Sequence, residues 1–172
     1  MVRASEGEED NGEAGVGDLK AHSVNGNDVV VGVSAAGNAE YVVKALLYAQ
    51  SIGCTTVGVT SNFGSLIDKT ADIPIVTDTG AEVITGSTRM KAGTAQKLVL
   101  NMISTLLFVK CGYVYENLMI NLKPSNEKLK KRTISIVCEI TGENETKAIE
   151  LLEKNDWNIR NAVDFHKKQK NG

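Results

Sequence analysis

The stretch DVVVGVSAAGNAEYVVKALLYAQSIGCTTVGVTS, Asp28 to Ser61, decides the fold. Asp28–Ser34 is a β-branched apolar run ending in small residues, and a run apolar on both faces reads as a buried strand, as parallel strands are. Val42, Val43, Leu46, Leu47 and Ala49 then recur at helical spacing. Gly53 follows them as the residue type that ends a helix in the left-handed conformation. Cys54–Ser61 repeats the strand pattern, and after a polar loop and a short helix IPIVTD (Ile73–Asp78) gives a third strand. Strand, helix, strand, helix, strand predicts a parallel α/β sheet with right-handed crossovers. Ligands of such sheets bind beyond the C-terminal ends of the strands. Ser34–Asn38, Ser61–Ser65 and Asp78–Thr94 all follow strands, so they are expected on one rim.

The third of these segments is the richest. GAEVITGSTRMKAGTAQK, Gly80 to Lys97, runs from Glu82 through Ser87, Thr88, Arg89, Lys91 and Thr94 into a long apolar helix. A helix beginning near Thr94 presents unpaired backbone N–H groups and the positive end of its dipole. Gly86 and Gly93 allow close approach of the backbone, three hydroxyls add donors, and Arg89 and Lys91 add charge. The pattern predicts an anion pocket, with phosphate the expected anion. The plainer alternative is a Thr94 cap with two solvated cations; the density of donors on the binding rim favours the pocket. The helix, Thr94 to Cys111, is apolar on most sides and is expected to be buried. Its most apolar run, Leu98 to Val109, is interrupted by Asn101, Ser104 and Thr105 and falls short of the ~20 residues of a spanning helix.

Composition narrows the class. The chain has 172 residues, 42% hydrophobic and 23% charged, with a net charge of −2; that is an ordinary globular balance and argues against general nucleic-acid binding. The cysteines, Cys54, Cys111 and Cys138, are odd in number and widely spaced, which gives neither a disulfide framework nor a metal motif. Cys54 and Cys111 read as buried free thiols. The start, MVRASEGEEDNGEAG, has no apolar segment of signal-peptide kind, and residues 1–17 read as a loose acidic segment. A cytoplasmic protein without membrane or nucleic-acid partners is expected. His22 and His166 lie in polar segments and read as exposed.

The C-terminal part has its own texture. A helix over Asn126 to Ile140 carries Lys128, Lys130, Lys131 and Arg132 on one face, and two short amphipathic helices follow, with a turn at Asn155–Asp156. Ile149, Leu152, Trp157, Ile159, Ala162, Val163 and Phe165 are the expected core of this part, with Trp157 its anchor. NDWNIRNAVDFH resembles the three-helix ubiquitin-associated (UBA) pattern; the plainer reading is a small packing domain.

GAEVITGSTRMKAGTAQKLVLNMIST resembles the signature of the N-acetylmuramic acid 6-phosphate etherases, shared in part with glucokinase regulatory protein, both of which contain sugar isomerase (SIS) domains. The resemblance extends through GYVYENLMINLKPSNEKLKKR and back through NDVVVGVSAAGNAEYV to SEGEEDNGEAGVGDLK. It implies an incomplete SIS-type, three-layer parallel α/β/α sheet, with 1–27 as an N-terminal segment, 28–122 as the α/β domain and 123–172 as a helical UBA-like subdomain. The activity it implies is cleavage of the D-lactyl ether of N-acetylmuramic acid 6-phosphate to N-acetylglucosamine 6-phosphate and D-lactate, in cell-wall sugar recycling, with no metal or redox cofactor. The implied route is elimination then hydration, worked by two carboxylates with separated pKa values. The family's Glu-Gly-x-Glu-Asp motif stands here as Glu6-Gly7-Glu8-Glu9-Asp10, and Glu9 matches its second catalytic glutamate, the base. Read without the resemblance, the same residues are a solvated acidic stretch. The sugar-phosphate contacts fall on Ser34, Gly37, Asn38, Glu82, Ser87, Thr88, Arg89, Lys91 and Thr94, with Asn126 and Lys128 as secondary positions.

Two departures from the family pattern stand out. The family's Ala-Ser-Gly loop reads Ala35-Ala36-Gly37 here, so a hydroxyl is missing at Ala36, which is expected to weaken binding by roughly 0.5–1.5 kcal/mol. The family's N-terminal half, with its first phosphate loop and first catalytic glutamate, has no counterpart in these residues. Strands of that half would neighbour Asp28–Ser34, so an open apolar edge and self-association, a homodimer in the simplest case, are expected. Three functions are thereby in play: an etherase, a sugar-phosphate-binding regulatory module without turnover, and an inactive fragment.

Overall fold

The computed structural model describes residues 7–170. The chain forms two compact units, one ending at Met102 and the other beginning at Ile103.

In the first unit, β1 (Val29–Val33), β2 (Thr55–Thr60) and β3 (Ile73–Val76) form a sheet in the order β1-β2-β3, with both pairings parallel. The expected α/β class and its three strands are therefore found. Between the strands lie α2 (Glu40–Ser51) and α3 (Leu66–Thr70), preceded by α1 (Gly12–Ala21). Gly32 and Gly58 are register partners and face the same side of the sheet. A Cβ at Gly32 would stand 2.6 Å from Val42 Cγ1 and 2.9 Å from Leu46 Cδ1, and one at Gly58 would stand 2.5 Å from Ile67 Cγ2. The two glycines thus let α2 and α3 settle on one face, where Val43, Leu46 and Ile67 form the core with Val30, Val42 and Ala71 against them. By strand alternation Val29, Val31 and Ile73 project to the opposite face, and they are 60%, 37% and 50% exposed.

The acidic start is more ordered than its composition suggests. Asn11 Oδ1 accepts from Ala14 N at 3.1 Å and starts α1. Gly12 and Gly15 bring α1 against α2 so closely that a Cβ at Gly15 would lie 2.3 Å from Tyr41 O. Tyr41 Oη donates to Asp18 at 2.6 Å across the same contact. The expected loose segment is therefore a packed helix from Gly12 onward; its glycines, which look like disorder in the sequence, are what permit the packing.

The helix after the hydroxyl-rich loop, α4, spans Lys91–Lys110 and starts three residues before Thr94. It corrects the expectation of a buried helix. Ala92 and Val99 are its buried residues, while Leu98, Met102, Leu106 and Phe108 are all more than half exposed. An apolar sequence demands a cover but does not supply one. At 20 residues and a mean hydropathy of 1.3 over its most apolar window, α4 also meets the length and composition of a membrane-crossing helix, which the interrupted run in the sequence did not suggest. Cys111, just beyond it, is exposed rather than buried, whereas Cys54 is buried, its thiol donating to Asn25 O at 3.0 Å.

The second unit holds the hairpin β4 (Val114–Tyr115) and β5 (Leu118–Met119), then α5 (Glu127–Thr141), α6 (Glu145–Glu153) and α7 (Ile159–Lys170). Its core is Ile136, Val137, Ala148, Leu151, Leu152, Ile159, Ala162 and Val163. Each helix opens on an asparagine. Asn126, Asn144 and Asn158 accept through Oδ1 from the N–H three residues on, at 2.9, 2.9 and 3.0 Å, the N-cap arrangement that satisfies an orphan donor. Trp157 packs against this core as expected, with Lys130 Nζ 5.8 Å from its ring centre. Phe165 is 37% exposed and is not part of the core. His166 takes that place: it is buried, not exposed, because its position on α7 falls on the same face as Ala162 and Val163. Its Nε2 lies 3.5 Å from Glu143 Oε1.

Candidate functional site

All three strands of the parallel sheet run the same way, so the segments after them meet at one rim. Backbone bonds lace them together: Ser34 N to Val59 O at 3.0 Å, Ser61 N to Ala35 O at 3.0 Å, Thr77 N to Thr60 O at 2.9 Å. Side chains reinforce the lacing. Thr60 Oγ1 donates to Ala35 O at 3.2 Å, and the hydroxyls of Ser61 and Thr77 lie 2.9 Å apart. Gly37 sits in this mesh with φ +74°, and a Cβ there would meet Ser65 Oγ at 2.2 Å and Thr60 Oγ1 at 2.5 Å. No other residue fits that position. Ser34 Oγ accepts from Gly37 N at 3.2 Å, which leaves the hydroxyl proton for another acceptor. Asn38 Oδ1 accepts from Leu66 N at 3.0 Å and so ties the first loop to the start of α3. Ala36 is exposed, and its carbonyl accepts from Asn62 Nδ2 at 3.3 Å. Ser61 falls in a segment expected on this rim, whereas Thr60 and Thr77 are rim hydroxyls not singled out in the sequence, where their only signal is their position directly at strand ends.

The second part of the site is the loop between β3 and α4. It turns at Gly80 (φ +63°) and Gly86 (φ +82°). Thr85, Gly86, Ser87, Thr88 and Arg89 line an open concavity. Arg89 Nε donates to Ser87 Oγ at 3.2 Å, so cation and hydroxyl stand side by side. Glu82 is not turned to that concavity. Its Oε2 accepts from Lys91 N at 3.1 Å and its Oε1 from Ala92 N at 3.0 Å, while Lys91 Nζ donates to Ala81 O at 2.8 Å. These N–H donors, Ala92 first and Lys91 second, hold the Glu82 carboxyl below the usual carboxylate range. Of the free N–H groups expected at the helix start, those of Lys91 and Ala92 are thus taken by Glu82 and that of Gly93 by Thr88 O at 3.0 Å. Thr94 lies inside the first turn, its N–H donating to Met90 O at 3.0 Å, and lines an apolar hollow with Val83, Met90 and Leu98.

Ser87, Thr88 and Arg89 are therefore brought together; Glu82 and Lys91 close their loop; Ser34, Gly37 and Asn38 are woven into the rim. Glu9 is exposed in a 3-10 turn, Glu8–Asp10, that packs beside α2. Glu6 of the same motif lies outside the described residues. Asn126 and Lys128 belong to the second unit, Asn126 as the cap of α5 and Lys128 as an exposed residue of its first turn. Among the described residues no group of three or more His, Cys, Asp or Glu is placed to hold a metal ion.

Fold and rim define an open parallel α/β protein with polar loops gathered at the C-terminal strand ends, joined to a helical part in which residues 133–166 match a UBA-like domain. More particularly, the chain resembles the N-acetylmuramic acid 6-phosphate etherases over nearly all of its length. It is 50% identical over 163 residues to the etherase of Clostridium beijerinckii, covering 95% of this chain and 54% of that protein. It is 47% identical over 166 residues to that of Staphylococcus epidermidis, covering 96% and 56%, and 49% identical over 163 residues to that of Escherichia fergusonii, covering 95% and 55%. The chain spans a little over half the length of these curated relatives.

Proposed function

We propose that this chain contributes the sugar-phosphate site and one catalytic carboxylate to etherase chemistry: N-acetylmuramic acid 6-phosphate and water give N-acetylglucosamine 6-phosphate and D-lactate. The observation that carries this reading is the loop in which Ser87, Thr88 and Arg89 line one concavity, within a chain about half identical to proteins named for that reaction. A guanidinium beside two hydroxyls suits a phosphate monoester, since charge-assisted bonds to such an anion are the strong ones. The loop after β1, with Ser34 and Asn38 around Gly37, adds donors on the same sheet rim. In the open-chain sugar the C2 proton is acidified by the neighbouring aldehyde. Glu9 takes that proton; the C3–O bond breaks and lactate leaves with a proton; water then adds across the C2–C3 double bond. The reaction needs no net oxidant or reductant. A homodimer in the cytoplasm is part of this reading, supported by the exposed apolar length of α4 and the open edge at β1.

A second reading, a sugar-phosphate-binding module without turnover, is favoured by one observation: Ala36 stands exposed where the family pattern has a hydroxyl. The deciding experiment measures D-lactate release from N-acetylmuramic acid 6-phosphate by the purified chain and by Glu9→Gln. Release by the chain and loss of at least ~100-fold in the variant is expected for an essential base. No release, together with saturable binding of the sugar phosphate, establishes the second reading instead.

A further inference from the structure

We propose that Glu82 is a positioning residue: its carboxylate clamps the start of α4 and thereby holds the loop 83–90 in the shape that gathers Ser87, Thr88 and Arg89. The inference rests on the reading of that concavity as the sugar-phosphate site. Three bonds close the loop at its neck. Each carboxylate oxygen of Glu82 accepts from a different backbone N–H, Lys91 at 3.1 Å and Ala92 at 3.0 Å, and the Lys91 ammonium returns to Ala81 O at 2.8 Å. Beyond the neck the loop is held by short-range hydrogen bonds rather than by apolar packing. Val83, Ile84 and Met90 are 85%, 71% and 65% exposed, so no apolar core fixes it. Its interior bonds are local, Ser87 N to Ile84 O at 3.0 Å and Arg89 Nε to Ser87 Oγ at 3.2 Å, and its far end is joined to the first turn of α4 by Gly93 N to Thr88 O and Thr94 N to Met90 O, both at 3.0 Å. A loop with an exposed apolar wall takes its shape from its closure. The same contacts give the carboxylate a second consequence. It occupies the two foremost N–H groups of α4 and compensates the helix dipole, so a phosphate in the concavity is met by the side chains of the loop rather than by the helix end.

The chemistry of the clamp demands a carboxylate of this length. Glutamine offers one acceptor and one donor, and the donor faces an N–H, so one of the two bonds is lost. Aspartate is shorter by one methylene and does not span both donors from the same Cα. The test uses the full chain and three proteins: wild type, Glu82→Gln and Arg89→Ala. Amide hydrogen exchange is followed over residues 83–92, and affinity for N-acetylglucosamine 6-phosphate is titrated. Glu82→Gln is expected to speed exchange at Lys91, Ala92 and the loop by ~10-fold or more, the range for a lost bond to a charged acceptor, and to weaken the sugar phosphate by a similar factor. Arg89→Ala is expected to weaken binding while leaving exchange at the neck unchanged. In the wild type, protection corrected for intrinsic exchange is lost on acidification as the Glu82 carboxyl takes up a proton; in Glu82→Gln that dependence is absent. Unchanged exchange in Glu82→Gln overturns the clamp. Faster exchange with unchanged affinity overturns its role in the site. If the wild type binds no sugar phosphate, the site reading falls, and the positioning role with it, whatever the exchange shows.

Discussion

Asp72 shows how much a single exposed carboxylate can organise. Its Oδ2 accepts from Thr56 N at 2.9 Å and from Thr56 Oγ1 at 2.7 Å, and its Oδ1 accepts from Gln50 Nε2 at 3.1 Å. Gln50 Nε2 also donates to Thr70 O at 2.8 Å. One side chain thus joins the end of α2, the start of β2 and the residue before β3. Hydrogen bonding, first from the Thr56 hydroxyl and then from the Thr56 N–H, holds the Asp72 carboxyl below its ordinary range. A carboxyl with a lowered folded-state pKa binds fewer protons folded than unfolded in the acid range. Its contribution is complete above the unfolded value, ~3.9, and is lost as pH falls through the lowered folded value. Thermal melts between pH 7 and pH 3 are expected to show the midpoint falling at the acid end, and Asp72→Asn to flatten that fall while lowering the midpoint at pH 7. A variant with the wild-type acid slope would remove Asp72 from this role. The Thr56–Asp72 bond was not legible in the sequence, because sixteen residues separate its partners and no local pattern announces it.

At the scale of elements, glycine decides what packs. Gly32 lies under Val42 and Leu46, where an added Cβ would find 2.6 and 2.9 Å, whereas a Cβ at Gly17 in α1 meets nothing within 4 Å. Gly32→Ala forces α2 off the sheet or its side chains off their rotamers, an overpacking cost of ~1–3 kcal/mol. Gly17→Ala removes only unfolded-state freedom and is expected to stabilise by ~0.4–1 kcal/mol. Urea unfolding of the two variants checks the contrast; equal effects would mean that α2 does not rest on the sheet through Gly32. The strands themselves were readable to within a residue or two at each end, because β-branched runs and the Gly53 stop are local signals. The packing of α1 was hidden, since Gly12 and Gly15 in an acidic context look like a linker and their partners, Lys44 and Tyr41, lie beyond β1 on α2. The donor set of the loop was legible, while the division of labour within it was not. Sequence shows that Glu82 and Lys91 flank the hydroxyls; only the fold shows that they close the neck.

At the scale of the whole molecule, the described residues leave a large apolar surface uncovered. Leu98, Met102, Leu106 and Val109 recur along one side of α4, and they are 51%, 57%, 62% and 45% exposed. β1 is a sheet edge with Val29 and Val31 also exposed. Contiguous apolar surface of this kind marks an interface, and an unpaired strand edge invites another strand. Of the two, the helix supplies the larger driving force, because fully burying one such side chain contributes about 1.5–3 kcal/mol. Sedimentation velocity at micromolar concentration is therefore expected to show a dimer or a larger species. Met102→Glu combined with Leu106→Glu is expected to weaken that association by ~100-fold or more, since two buried contacts of this size are replaced by two charges at the seam. Circular dichroism of the variant guards against simple unfolding. A wild-type chain that sediments as a monomer at this concentration would show that the exposed stripe of α4 does not by itself drive assembly. A dimer indifferent to the double substitution would move the interface to the β1 edge.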